Sequence, residues 1–324
     1  MSKTVRWGIL GCGEVTEVKS GPGFQKAEGS QLVAVMRRNG ELAADYAKRH
    51  GVPRWYDEAQ ALINDPEVDA VYVATPPASH KPLALLCAAA GKPCYVEKPM
   101  SMGHAESLEM IEAFRQAGVP LFTAYYRRAM PRFVKVHELL AAGAIGAVRY
   151  VNLVLHQPPA AEDLDPTTQP WRVDPAIAGG GRFVDMGSHQ LDFIDALFGP
   201  ITDVQGYFAS HLPGARVEDT VSASFRCASG VIGSASWCFA APDKLDRCEI
   251  VGETGRLVFS TFDESPVQLI TAAGSEAFAI ANPAHVQQPL IQNVVDCLLG
   301  RAEPLSTGES AARTDAVIDR ILGR

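Results

Sequence analysis

The 324-residue chain predicts an α/β protein in two parts, a doubly wound parallel sheet followed by an α/β domain with a large, mostly antiparallel open sheet. Three observations carry the prediction. Short apolar runs alternate with helical patterns as far as residue 123, long strand-like runs then follow one another directly, and the length exceeds what one hydrophobic core ordinarily serves. The expected domains are 1–123 and 124–324, and the last helix could pack back on the first of them.

Within the first part the runs are VRWGIL, QLVAVM, DAVYVAT, PCYVE and VPLFTA. Alternation of such runs with helices implies parallel strands joined by crossovers. ELAADYAKRHG and SLEMIEAFRQAG carry apolar residues at helical spacing and close on a glycine, which suits a helix C-terminus. A further helical segment, PRFVKVHELLAAG, precedes AVRYVNLVL, ITDVQGYFAS, TVSASFRC, VIGSASWCF, LDRCEIVG and GRLVFS, with turn residues such as CASG and GETG between strands. Helical stretches near 284–300 and 308–322 end the chain.

Composition excludes several classes. Hydrophobic residues make up 47% and charged residues 20%, and no run approaches the roughly 18 apolar residues of a membrane helix, so neither disorder nor a membrane span is expected. A net charge of -8 argues against a nucleic-acid partner, which would need clustered Lys and Arg. The seven cysteines lack metal-ligand spacing and read as reduced, mostly buried thiols, with no metal expected. No charged-then-apolar leader precedes the first strand, so a cytoplasmic location is expected.

The loop after the first strand, GILGCGEVTEV, offers Gly11 and Gly13, with Cys12, Glu14 and Val15 around them, and Thr16 where a third glycine or alanine would complete G-x-G-x-x-G. Such glycines permit a tight turn and a close approach of pyrophosphate to the backbone. At the end of the next strand, where an NAD site offers an acid to the ribose about 20 residues on, the chain reads VMRRN. Paired guanidiniums suit a 2′-phosphate and no carboxylate is there to repel it. Arg37 and Arg38 therefore favour NADP over NAD.

Two constellations carry candidate chemistry. DAVYVATPPASH and the EKP after PCYV bring Thr75, Pro76, His80, Glu97 and Lys98 to the carboxyl edge of the first sheet, where ligands of open α/β sheets bind. Lys98 is expected to project towards the nicotinamide, and Glu97 to pair with it and bond the cofactor. In GGGRFVDMGSHQLDFIDAL, read as helical from about Asp185, the residues Asp185, His189 and Asp192 fall at i, i+4 and i+7 on one face. Met186, Leu191, Ile194, Leu197 and Phe198 lie on the other. Imidazole titrates near working pH, so His189 suits the transfer of an alcohol proton, with Asp185 orienting either the substrate hydroxyl or the ring.

GILGCG, ATPPASH, EKP, YRRAMPRF and GGGRFVDMGSHQLD, in that order, resemble the glucose-fructose oxidoreductase and inositol dehydrogenase (Gfo/Idh/MocA) family through about residue 200. The resemblance implies a Rossmann domain and a C-terminal domain whose open sheet commonly forms a homodimer or homotetramer interface. It also implies a cis bond between Lys98 and Pro99, Lys98 as the lysine of EKP, and His189 as proton carrier beside Asp185. The activity implied is hydride transfer between NAD(P) and the CH–OH group of a sugar, cyclic polyol or diol, with a small-molecule substrate as the partner. Tyr126, Arg128, Trp171 and Arg172 are further candidates for the substrate or nicotinamide pocket. Thr16 and the two arginines depart from the commoner pattern. Two rival functions fit the same motifs: a non-enzymatic dinucleotide sensor on the same scaffold, and a glycosidase using nicotinamide without net redox.

Overall fold

The computed structural model describes residues 4–165 and 170–324. The first sheet holds β1 (Val5–Leu10), β2 (Ser30–Met36), β3 (Arg54–Tyr56), β4 (Ala70–Val73), β5 (Cys94–Val96) and β6 (Leu121–Thr123). Its order is β3-β2-β1-β4-β5-β6 and every neighbouring pair is parallel. Five of these strands coincide with the apolar runs. The sixth, β3, is three residues long and half-exposed, too short to show a period.

The connections are α1 (Glu14–Val18), α2 (Gly21–Lys26), α3 (Gly40–His50), α4 (Ala59–Asn64), α5 (His80–Ala89) and α6 (His104–Ala117). α3 starts where Asn39 caps the Leu42 N–H, and both α3 and α6 end at glycines, Gly51 and Gly118, each with φ +66°.

Beyond these lie α7 (Pro131–Ala141), β7 (Val148–His156), α8 (Pro175–Ala178), α9 (Ser188–Phe198), β8 (Ile201–Ala209), β9 (Thr220–Cys227), β10 (Ile232–Cys238), β11 (Leu245–Gly252), β12 (Gly255–Phe259), β13 (Val267–Thr271) and β14 (Gly274–Phe278), then α10 (Gln288–Leu298) and α11 (Gly308–Ile321). The second sheet runs β14-β13-β12-β11-β7-β10-β9-β8, antiparallel except where β7 meets β10. Buried and exposed residues alternate along β9, as in a sheet with one face packed and one open. The β13–β14 hairpin was not legible in the sequence, since β14 is exposed along almost its whole length.

The chain divides into two compact units, 1–130 with 283–312, and 131–282 with 313–324. In the first, Leu290, Ile291, Val294 and Val295 of α10 join Trp7, Phe24 and Tyr72 in one core. In the second, Phe133, Phe193 and Phe259 from α7, α9 and β12 meet edge to face with centroids 4.9 to 6.2 Å apart. Among the described residues no helix is long and apolar enough to cross a membrane.

Candidate active site

β1 ends at Leu10 and Gly11 turns the chain with φ +90°. A side chain there would also strike Thr75, its Cβ lying 2.7 Å from Thr75 Cγ2, so both conformation and space demand glycine. The N–H groups of Gly11 and Cys12 donate to the Met36 carbonyl at 2.8 and 3.1 Å, drawing the loop against the end of β2. Gly13 is different. A Cβ added to it would find no protein atom nearer than 3.8 Å. The space over this backbone is open, and a side chain would fill the room that a pyrophosphate needs, so the loop fits a dinucleotide.

Cys12 offers that loop only its backbone. Its side chain is buried in the first core, and burial pushes the thiol up to about 11. Glu14 is exposed and Val15 half-buried. Thr16 is fully buried, with Oγ1 donating to the Gly13 carbonyl at 2.7 Å and its own carbonyl accepting from Tyr46 Oη at 2.8 Å. The close packing that a third glycine would have permitted falls instead at Gly21, where a Cβ would lie 2.1 Å from the Thr16 carbonyl oxygen. The helical stretch after the loop accordingly comes as two short pieces, α1 and α2. Arg37 and Arg38 stand exposed immediately past β2, and the Arg37 charge is felt at the Cys12 thiol, lowering its pKa against the effect of burial.

Gly11, Thr75 and Glu97 follow the ends of the three neighbouring strands β1, β4 and β5, with the Ala74 N–H on the Leu10 carbonyl and the Glu97 N–H on that of Val73. The Lys98–Pro99 peptide is cis. Glu97 is only 7% exposed. Its Oε1 accepts from Tyr72 Oη at 2.6 Å and Gln287 Nε2 at 2.5 Å, while Oε2 accepts the Lys98 N–H at 3.0 Å. Burial, followed by the Glu97 charge, holds Tyr72 well above its ordinary pKa, so the phenol stays a donor.

His80 corrects an expectation. Its ring is fully buried, with Nδ1 3.0 Å from the Pro99 carbonyl and Nε2 2.7 Å from that of Thr75. A neutral ring has one N–H, so it donates to one of these carbonyls and packs its other nitrogen against the second, enclosed between the two edge loops. Burial lowers its pKa, against the opposing pull of the neighbouring backbone of Thr75, Pro99 and Met100 and of the Glu97 charge. Of the other expected pocket residues in this unit, Tyr126 lies in a short 3-10 turn under the Arg127 guanidinium, and Arg128 Nη1 donates to the Leu305 carbonyl at 3.0 Å.

In the second unit the glycine run is a packing device. A Cβ on Gly180 would come within 2.3 Å of Val184 Cγ2, and one on Gly181 within 2.3 Å of the Glu218 carbonyl oxygen. The segment Phe183–Gly187 is a π-turn, after which α9 begins. The wider turn breaks the regular helical spacing assumed from Asp185. Asp185 is half-exposed and lies 3.8 Å from Arg172 Nε, whose guanidinium stacks on Trp171, so three expected residues do assemble.

His189 and Asp192 are buried, not displayed on an open polar face. The reason is that α9 is enclosed by polar as well as apolar partners. Gln190 accepts from Trp237 Nε1 at 2.6 Å and donates to Thr261 Oγ1 at 3.0 Å, and Asp195 takes a two-pronged ion pair from Arg313. Phe262 and the His189 ring meet edge to face, centroids 6.0 Å apart, and the backbone that carries Phe262 is gathered by Asp246, which accepts the N–H groups of Thr261, Phe262 and Asp263.

Comparison with known proteins matches residues 5–125 to the oxidoreductase family with an NAD-binding Rossmann fold, and residues 133–258 to the GFO/IDH/MocA C-terminal domain. An oxidoreductase, P35, of Formosa agariphila is 38% identical over 323 residues, covering both chains completely. The chain belongs to the Gfo/Idh/MocA family. It is an oxidoreductase with an NAD-binding domain. A 1,5-anhydro-D-fructose reductase of Ensifer adhaerens is 29% identical, over 94% of this chain and 91% of its own. In fold, a levoglucosan dehydrogenase solved with NADH and levoglucosan superposes with a TM-score of 0.86 at 23% identity, over 99% of this chain and 97% of its own.

Membership in the Gfo/Idh/MocA family accounts for the motifs singled out in the sequence, but several residues around them gave no signal. Tyr72 sat unremarked in an apolar strand, and Gln287 lies 190 positions from the carboxylate it bonds. Asp246 and Phe262 belong to no motif. Only the folded chain brings these groups to the lysine and the histidine.

Proposed function

We propose that the protein is an NAD(P)-dependent dehydrogenase or reductase acting on a secondary alcohol or ketone of a sugar, cyclic polyol or related diol. The observation that carries this reading is the alignment of Gly11, Thr75 and the Glu97–Lys98 pair past the ends of three adjacent parallel strands, beside open space over Gly13. Bound nicotinamide supplies the hydride acceptor in one direction and the hydride donor in the other.

His189 takes the hydroxyl proton as the alcohol is oxidised and returns it on reduction. Lys98 polarises the substrate oxygen and stabilises developing alkoxide charge. Asp185, partnered by Arg172, orients the substrate hydroxyl or the imidazole, with Trp171, Tyr126 and Arg128 as pocket residues. The exposed Arg37 and Arg38 favour NADP, by offering guanidiniums to a 2′-phosphate where no carboxylate stands. Exposed Tyr207 and Phe208 on β8, the edge strand of the open sheet, support a homodimer or homotetramer built on that sheet.

The test is a panel of sugars, anhydrosugars, cyclic polyols and aromatic dihydrodiols assayed at 340 nm with NADP and NAD in parallel, on the native enzyme and on Lys98→Ala and His189→Ala. Turnover by the native enzyme, lowered about a hundredfold or more in either variant with cofactor affinity kept, is the expected result. Full turnover in His189→Ala removes that residue from the mechanism. No turnover with any of these substrates overturns the substrate class.

A further inference from the structure

Gln287 is 1% exposed and makes four hydrogen bonds into three separate elements of the first unit. Its backbone N–H donates to the Lys19 carbonyl at 3.1 Å, just past α1. Its Oε1 accepts from Tyr95 Oη at 3.3 Å on β5, and its backbone carbonyl accepts the Ile291 N–H at 2.9 Å in α10. Its Nε2 donates to Glu97 Oε1 at 2.5 Å. Two residues earlier, His285 Nδ1 donates to the Val18 carbonyl at 2.7 Å, which leaves Nε2 to accept from Lys26 Nζ at 2.7 Å. The segment 285–287 therefore clasps the end of the helix that follows the glycine loop, and the same amide holds the carboxylate next to the lysine.

We propose that Gln287 is a positioning residue for the reaction, acting through Glu97 to hold the Lys98 backbone in place and tying that hold to the glycine-loop helix. This rests on the reading of Lys98 as the polarising group. The chemistry is specific to an amide. Glu97 Oε1 already takes the Tyr72 hydroxyl and Oε2 the Lys98 N–H, so the Gln287 amide is the third donor to a buried carboxylate. An apolar side chain of similar size would fill the volume yet leave that oxygen one donor short, freeing the carboxylate to turn away from the Lys98 N–H. A glutamate there could replace the donor only while the two carboxyl groups share a proton.

The experiment compares Gln287→Leu, Gln287→Glu and Lys98→Ala, singly and as the Gln287→Leu/Lys98→Ala double variant, in the full-length protein. Turnover is read with the best substrate of the panel, and NADPH affinity by fluorescence. Gln287→Leu is expected to lower kcat about tenfold or more, with KM and NADPH affinity within about threefold, and to add nothing to Lys98→Ala. Compared with native at the same pH, Gln287→Glu should come closest to native kcat at acid pH, where the paired carboxyl groups can share a proton, and fall towards Gln287→Leu as pH rises, a profile that lost packing would not produce. The second readout needs no turnover: acetic anhydride labelling of Lys98 against pH, mapped by mass spectrometry with exposed Lys48 as internal standard, should change at least threefold in Gln287→Leu. Unchanged labelling, a loss additive with Lys98→Ala, or identical pH profiles in the two Gln287 variants overturns the proposal. If Gln287→Leu does not fold, the Gln287→Glu profile and its Lys98 labelling decide. A native enzyme inert on the whole panel fails the functional reading alone, and the labelling still tests Gln287.

Discussion

Tyr72 Oη lies 2.6 Å from Glu97 Oε1, a phenol on β4 bonded to a carboxylate that follows β5. Both groups are buried, so the bond is made where water cannot replace it. Tyr72 also packs its ring between Phe24 and Tyr95, each centroid 5.1 Å away. Tyr72→Phe keeps that packing and removes only the hydroxyl. It is expected to cost about 1–3 kcal/mol of stability in urea unfolding with an unchanged m-value. A loss below about 0.5 kcal/mol would mean that the bond contributes no net stability to the edge of the sheet.

Glycines at two places in the chain separate folding from binding. Gly13 faces open space and has extended backbone, so Gly13→Ala should leave stability within about 1 kcal/mol of native. It should weaken dinucleotide binding at least tenfold, because the methyl group occupies the approach of the pyrophosphate. Gly181→Ala drives a methyl to 2.3 Å from the Glu218 carbonyl oxygen, a backbone atom, and is expected to lose about 2 kcal/mol or more. Calorimetry and cofactor titration on the two variants should therefore give opposite patterns. Equal destabilisation by both would remove the distinction between the two sites.

The same contrast shows what the sequence could disclose. Alternation of apolar runs and closing glycines revealed the first sheet, because those patterns are local and repeat every few residues. The glycine loop, the two arginines and the EKP were legible for the same reason. Burial of His189 and Asp192 was not, since it depends on Gln190 meeting Trp237 and Thr261 and on Asp195 meeting Arg313, partners 47 to 118 positions away. The π-turn at Phe183–Gly187 was equally hidden, as Gly187 packs against Phe183 and Trp237 where a side chain could not fit. His80 was placed at the right edge of the sheet, but only the folded backbone reveals that its ring is buried with both nitrogens facing carbonyls.

His80 gives the enzyme a defined acid sensitivity. Its folded pKa lies below the value of 6.5 for an unperturbed histidine, because complete burial disfavours the cation. The unfolded chain therefore binds the proton more readily, so stability from this group is complete above about pH 6.5 and declines as pH falls through the folded pKa. The slope it contributes is at most about 1.4 kcal/mol per pH unit. Denaturant midpoints of the native protein and of His80→Asn between pH 8 and pH 5 should converge as pH falls. Parallel pH dependence in the two would show that His80 does not titrate in this range.

The proposed preference for NADP places the choice of cofactor on two exposed side chains that follow β2, Arg37 and Arg38. Arg37→Ala removes a guanidinium able to make paired, charge-assisted bonds to a phosphate, and should weaken NADPH about tenfold to a hundredfold. NADH lacks the 2′-phosphate, so its affinity should stay within about twofold. Because Arg37 is exposed and carries no core packing, stability should be unchanged, and any loss of affinity reads as binding alone. Arg38→Ala, measured in the same way, divides the effect between the two residues. The contribution should also weaken with ionic strength for NADPH and not for NADH, since only the former adds a charge for the arginines to meet. Equal loss for both dinucleotides, with no difference in salt dependence, would return the preference to NAD.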